Sequence, residues 1–219
     1  FTDTKNDIVA VINGAFRSHS YLLDSDVLSD AEKEIFESFD RYANNISVDK
    51  EIANETVYRA LNNLSLFLSR YYGKKVIILL DEYDTPMQEA YVNGYWEELV
   101  AFTRSLFNST FKTNPYLERA IMTGITRVSK ESIFSDLNNL KVVTTLTPKY
   151  ETAFGFTEEE VFKALDEQGL SDKKKDVKIW YDGFRFGSKN DIYNPWSIIN
   201  CLDKKKIALY WAESSSNGL

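Results

Sequence analysis

Two acidic residues directly after an apolar stretch carry the clearest chemistry in this sequence. Val76–Leu80 is five consecutive aliphatic residues, and Asp81 and Glu82 follow it. In open α/β sheets, ligands bind beyond the carboxyl ends of the strands. A carboxylate there suits a hard cation such as Mg²⁺, usually through water, and the next acid can act as general base on an attacking water. The pair therefore favours a nucleotide-type site over the alternative, acids that cap the next helix.

Thr123 and Arg127 are the residues that we expect to join this pair. Thr123 lies in a second short apolar segment, 120–124, and neighbouring parallel strands end at one edge of a sheet. A hydroxyl there can hydrogen-bond a water or a terminal phosphate, and a guanidinium can bind phosphate as a fork. The alternatives are a strand-end cap for Thr123 and a surface ion pair for Arg127. Asp84 either adds a third carboxylate or caps the turn before Pro86, and we favour the cap.

The sequence contains no phosphate-binding loop. That loop has the pattern G-x-x-x-x-G-K-[ST], in which backbone amides and the Lys hold the β- and γ-phosphates. None of the nine glycines fits the pattern. The chain opens at Phe1, not at Met, and we interpret it as a fragment of a longer polypeptide. We expect these residues to carry the acidic half of a nucleotide-hydrolysis site and to be inactive alone.

Helices and short apolar strands alternate along the first part of the sequence. Helical spacing of apolar residues marks four segments: 7–23, 30–42, 54–72 and 95–111. Val76–Leu80 lacks polar alternation and predicts a strand buried on both faces. Further strands are predicted at 120–124 and 142–146. Strands that alternate with long helices predict an α/β fold with a parallel sheet covered by helices.

The pattern changes after Phe156. Thr157 opens a capping-box-like helix start, and two more helices are predicted before the end of the chain. An aromatic-rich turn with Gly183 and Gly187 separates the last two helices. We therefore predict two domains, an incomplete α/β core and a small helical subdomain, at residues 1–156 and 157–219.

Composition excludes several classes of chemistry. Cys201 and His19 are the single cysteine and histidine, which excludes an internal disulfide and argues against Ser-His-Asp, Cys-His and ordinary zinc sites. The net charge of −7 disfavours nucleic-acid binding by the chain as a whole. Two lysine clusters, Lys173–Lys175 and Lys204–Lys206, form either a basic face or solvated helix ends, and we favour the latter. Without a membrane-length apolar run or a signal peptide, we expect a cytoplasmic protein with no membrane partner.

Ordered motifs run through nearly the whole chain and resemble one known family. The first is Lys75–Pro86, and the others are 114–120 running into 123–125, 129–139, 154–161, and 180–184 with 193–197. Together they resemble the bacterial AAA-ATPase-like family of P-loop proteins, in which the first motif is the Walker B segment.

The resemblance implies a P-loop NTPase that binds Mg²⁺ and ATP. Its Walker A loop is expected N-terminal to this chain, and a domain similar to PD-(D/E)XK nucleases often follows C-terminally. Asp81 resembles the Mg²⁺-ligating acid, Glu82 the catalytic base, and Thr123 a sensor-like polar residue. Residues 157–219 would form a helical, winged-helix-like lid.

Three functional hypotheses follow. The first is that the chain is the core and lid of a P-loop ATPase that is coupled to nucleic-acid processing. The second is a non-catalytic module on a degenerate NTPase scaffold, which presents the lid to a protein or DNA partner. The third, which we favour least, is a metal-dependent nuclease site built from Asp81, Glu82 and Asp84.

Overall fold

The computed structural model describes residues 1–44, 54–125, 133–134, 136–137 and 140–211. The chain divides into two units, Phe1–Leu140 and Lys141–Leu219. The predicted functional domains, 1–156 and 157–219, stay a prediction. Within the described ranges, no helix is sufficiently long and apolar to cross a bilayer.

The first unit is built of five helices and a two-stranded sheet among its described residues. In chain order these elements are α1 Thr2–Ser18, α2 Asp30–Asn44, α3 Asn54–Tyr72, β1 Val76–Leu80, α4 Thr85–Asn93, α5 Trp96–Phe107 and β2 Leu117–Met122. Short helical turns occur at Ser20–Asp24 and Asn108–Lys112. Gly73 ends α3 with a φ of 62°, a left-handed conformation that favours glycine.

The core of the first unit consists of the apolar faces of its helices. Phe16 of α1 stacks on Phe39 of α2 at 4.8 Å between ring centroids and meets Phe36 edge-on at 4.9 Å. Leu99 of α5 and Val57 of α3 are fully buried in the same cluster. The helical spacing predicted from the sequence is therefore confirmed in all four helical segments.

The sheet of the first unit is parallel, as predicted, but it is covered on one face only. Ile78 and Leu80 are half-buried, whereas Ile77 and Leu79 are 60% and 73% exposed. Ile121 of β2 is 50% exposed. The prediction of a strand buried on both faces is wrong for the described residues. We call the uncovered side, formed by Ile77, Leu79 and Ile121, the outer face of the sheet.

The second unit combines three helices with a three-stranded antiparallel sheet in its described part. The elements are β3 Phe156–Thr157, α6 Glu158–Glu167, α7 Lys174–Tyr181, β4 Asp182–Phe186, β5 Lys189–Tyr193 and α8 Pro195–Lys204, with strand order β3-β5-β4. Thr157 and Glu160 form the predicted capping box. Asn194 caps α8 by accepting a hydrogen bond from the Ser197 amide at 3.1 Å.

The aromatic-rich segment between α7 and α8 is a hairpin. Residues 182–186 and 189–193 pair as β4 and β5, so the predicted turn is in fact two strands joined at Gly187. Gly187 has a φ of 55° and donates its amide hydrogen to the Thr145 carbonyl at 2.8 Å. A side chain there would lie 2.7 Å from Pro148 Cα, so only glycine fits.

The predicted strand at residues 142–146 does not form. This segment has no ladder pairing, and the Thr147 amide bonds the Thr144 carbonyl at 2.9 Å in a turn. β-branched residues alone therefore do not make a strand when no neighbouring strand is available to pair with them.

Candidate functional site

The ends of β1 and β2 bring Asp81 and Thr123 together. Leu80 pairs with Met122 in the parallel register, so the residues that follow leave the sheet at the same edge. The Thr123 amide donates to the Leu80 carbonyl at 2.9 Å. The Thr123 hydroxyl donates to Asp81 Oδ1. The structure thus joins two residues that the sequence analysis placed at one sheet edge.

Asp81 is an exposed carboxylate with one oxygen held by the protein. Its Oδ1 accepts the Thr123 hydroxyl and also the Glu82 amide at 3.0 Å. In the described part of the chain, Oδ2 of Asp81 accepts no hydrogen bond. Oδ2 is therefore available to a cation or to a cation's water.

Glu82 stands in a left-handed backbone conformation. Its φ is 52°, which a residue with a side chain adopts at a cost of about 1 kcal/mol or more. The surrounding turn holds it there, because the Tyr83 amide bonds the Thr123 carbonyl at 3.0 Å and the Thr85 amide bonds the Glu82 carbonyl at 3.1 Å. The Glu82 side chain is exposed at the same edge as Asp81.

Asp84 is separated from this exposed edge by burial. It is 1% exposed and lies at the N-cap position of α4, but its carboxylate makes no cap bond. Instead, Oδ2 accepts a hydrogen bond from Gln88 Nε2 at 3.0 Å. Asp84 therefore bonds to a side chain within the first turns of α4, and the cap that the sequence favoured does not form.

Gly124 is a residue of the site that sequence reasoning missed. A Cβ built on it would clash with the Asp84 carboxylate and would lie 2.9 Å from Tyr83 Cε1. The loop after β1 and the loop after β2 therefore pack in direct contact, and only glycine allows this approach. A glycine at the end of the predicted strand 120–124 was the available signal.

Arg127 and the proposed cluster of three carboxylates are the remaining candidates. Arg127 lies outside the described residues. Asp81, Glu82 and Asp84 do not gather around one point, since the described ranges contain no group of three side chains able to hold a metal. In the described ranges, the three carboxylates therefore do not form the metal-binding cluster on which the nuclease hypothesis depends.

The residues at the edge fit magnesium bound together with a nucleotide. Mg²⁺ commonly uses one or two carboxylates and takes its other ligands from water and substrate phosphates. An exposed aspartate with one orientated oxygen and one available oxygen suits that mode.

Comparison with known proteins agrees with the resemblance of the motifs. The sequence profile of the AAA-ATPase-like family, described as "Predicted AAA-ATPase", matches residues 4–134, more than half of the chain. An uncharacterized protein in the vnfD 5′ region of Azotobacter chroococcum mcd 1 is 26% identical over 145 residues, which cover 66% of this chain and 28% of that protein. The match thus spans less than a third of that relative's length. No solved structure matches the chain. The matched residues include both strand ends of the site, and the chain belongs to the AAA-ATPase-like family.

Proposed function

We propose that this chain supplies the magnesium- and water-handling half of an ATP-hydrolysis site in a longer protein. The observation that carries the proposal is the joining of Asp81 and Thr123 at the carboxyl ends of two parallel strands, next to Glu82. The family description "Predicted AAA-ATPase" supports the same reaction.

Each residue has a defined role in this proposal. Asp81 binds Mg²⁺ through Oδ2, directly or through water, while the Thr123 hydroxyl fixes the rotation of the carboxylate. Glu82 accepts the proton of the attacking water, because it follows Asp81 and is exposed at the same edge. The bound ion supplies charge neutralisation for the phosphates.

The phosphate-binding half of the ATP site is proposed to lie N-terminal to these residues. Parallel sheets are normally covered on both faces, and isolated two-stranded sheets are marginal in water. The outer face of the sheet, with Ile77 and Leu79 mostly exposed, therefore favours a further layer. We propose that the segment carrying the Walker A loop covers this face and brings the loop to the edge at Asp81.

The segment 157–219 is proposed to act as the lid of the longer protein. Its helices and its β4–β5 hairpin are compatible with a winged-helix-like arrangement. A nuclease-like domain on the C-terminal side and a nucleic-acid or protein partner belong to the same proposal.

The proposal is tested by ATP turnover of a longer protein that includes the upstream sequence. Glu82→Gln is expected to lower kcat by about 10²–10⁴-fold, the usual contribution of a general base, and to retain bound ATP. Glu89→Gln is the matched control, since Glu89 is an exposed acid of α4 outside the site. We expect Glu89→Gln to turn over ATP like the wild type.

Equal turnover by wild type and Glu82→Gln would refute the role of Glu82. Tight binding of Mg·ATP without turnover by the wild type would instead favour the non-catalytic module. Calorimetry with Mg·ATP on the same longer protein separates these outcomes.

A further inference from the structure

Four aromatic side chains form a continuous row on the surface of the first unit. His19 lies 5.8 Å from Tyr21 between ring centroids, Tyr21 lies 5.2 Å from Tyr71, and Tyr71 lies 5.0 Å from Tyr72. These residues come from the chain after α1 and from the last turn of α3. We call His19, Tyr21, Tyr71 and Tyr72 the aromatic row.

The row is held in place by hydrogen bonds. The Tyr21 and Tyr72 hydroxyl oxygens are 2.8 Å apart, and His19 Nδ1 donates to the Ala15 carbonyl at 2.7 Å. Burial, and next the hydrogen bond with Tyr72, raise the pKa of Tyr21 to about 12. Like an ordinary tyrosine, Tyr21 is neutral at physiological pH.

The rings of the row leave aromatic surface open to solvent. Neighbouring rings are inclined by 57° to 78°, so they do not stack on one another. Tyr71 and Tyr72 are 42% and 59% exposed. A planar group from another molecule can therefore stack on the faces that the tilted packing leaves uncovered.

Two lysines follow the row immediately. Gly73 turns the chain, and Lys74 and Lys75 are both exposed. Neither lysine forms an ion pair within the ranges that the structure describes. Arg70, one turn earlier, is already paired with Glu32 at 2.5 Å. The cationic end of the patch thus consists of Lys74 and Lys75.

We propose that the aromatic row and the two lysines bind a single-stranded nucleic acid. Unpaired bases stack on the exposed tyrosine rings, and the neighbouring phosphates contact Lys74 and Lys75. Charge complementarity favours this occupant over an apolar one, because the row ends in cations that have no protein partner in the described residues. A duplex presents no free base faces, so it is bound less well. The site goes beyond the proposed ATPase function and does not depend on it.

The test is fluorescence anisotropy of labelled oligothymidine and oligouridine, about 12 nucleotides long, with the full 219-residue chain at low salt. Tyr72→Ala is expected to weaken binding about 5- to 150-fold, the usual effect of losing one stacking ring. Tyr72→Phe keeps the ring and is expected to bind like the wild type. Tyr91→Ala is the matched control, because Tyr91 is 75% exposed and lies outside the row.

The lysines are tested by the salt dependence of binding. The double variant Lys74→Gln/Lys75→Gln is expected to reduce the slope of log K against log salt by about 1.4, because each lysine releases about 0.7 counterion from a single strand. Lys205→Gln/Lys206→Gln makes the same charge change at two other exposed lysines and leaves the slope unchanged.

Several results would overturn the proposal. The proposal fails if the wild type does not bind at low salt, or if Tyr72→Ala and Tyr91→Ala lose the same affinity. It also fails if single strands, duplex and inorganic polyphosphate bind with equal affinity. A dimer in sedimentation that Tyr72→Ala dissolves would assign the row to a second copy of the chain instead. If Tyr72→Ala fails to fold, the lysine variants still test whether the patch binds a single strand.

Discussion

The hydrogen bond between Thr123 and Asp81 joins residues 42 positions apart in the sequence. Sequence reasoning anticipated that the two residues lie at one edge, because parallel strands end there, but not the hydrogen bond between them. It did not anticipate that Asp84 would be buried or that Gly124 would be needed for the two loops to approach. Both are consequences of loop packing, which periodicity and motif spacing do not encode.

Loss of the Thr123 hydroxyl is expected to destabilise the contact between the ends of β1 and β2. Thr123→Val preserves the shape of the side chain but removes the donor to Asp81, and we expect the free energy of unfolding to fall by about 1 kcal/mol. Thr123→Ser keeps the hydroxyl and is expected to stay closer to the wild type. Urea unfolding measures both, and an equal loss in the two variants would show that the hydroxyl contributes nothing.

A second prediction concerns the contact between the two loops. Gly124→Ala is expected to destabilise the first unit by about 1–3 kcal/mol, because the new methyl group clashes with Asp84 and Tyr83. Gly14→Ala is the matched control in α1, where a Cβ meets no atom within 4 Å. There we expect a gain of up to about 1 kcal/mol from helix propensity. Thermal or urea unfolding that ranks the two variants in the opposite order would contradict the packing described for Gly124.

At the scale of elements, helix periodicity predicted more than strand composition did. Four helical segments of the first unit formed, because one apolar stripe per helix is enough to specify a buried face, although α1 begins five residues early and α1 and α5 end four to five residues early. Val76–Leu80 is apolar on both faces, which indicates that the strand favours an apolar environment on each side. The sequence of the strand does not indicate which segment packs against either face. The β4–β5 hairpin was missed because its two glycines resembled a single loop.

The capping box of α6 gives the second unit a specific pH dependence. The Thr157 amide, and then its hydroxyl, hold the pKa of Glu160 below its usual value. A carboxylate whose pKa is lower in the folded state stabilises the fold above its unfolded pKa of about 4.3, and the stabilisation disappears as pH falls through the folded pKa.

Glu160→Gln is therefore expected to destabilise the protein near neutral pH and to match the wild type at pH values below the folded pKa of Glu160. Glu159→Gln is the control, since Glu159 lies in the same first turn of α6 but outside the capping box. Urea unfolding over a pH series checks this. A gap between Glu160→Gln and wild type that stays constant down to the lowest pH would contradict the assigned cause.

At the scale of the whole molecule, each unit has its own apolar core. Helices α1 to α5 supply most of the core of the first unit, and Val161, Val177 and Tyr193 lie in that of the second. Glu158 of the second unit binds both Lys178 and the Tyr193 hydroxyl, which links α6, α7 and β5. These cores follow from composition and periodicity, whereas the exposure of the outer sheet face does not follow from the apolar sequence of β1.

The central claim is that Asp81 and Thr123 mark the metal position of an ATP site. The most direct measurement is paramagnetic broadening by Mn²⁺·ATP of threonine methyl signals in the longer protein that includes the upstream sequence. The Thr123 signal is assigned by its loss in Thr123→Ser. We predict that Thr123 broadens at lower Mn²⁺·ATP concentration than Thr4, which lies in α1, and that Asp81→Asn removes this difference. Broadening that spares Thr123 or that is unchanged in Asp81→Asn would contradict the account.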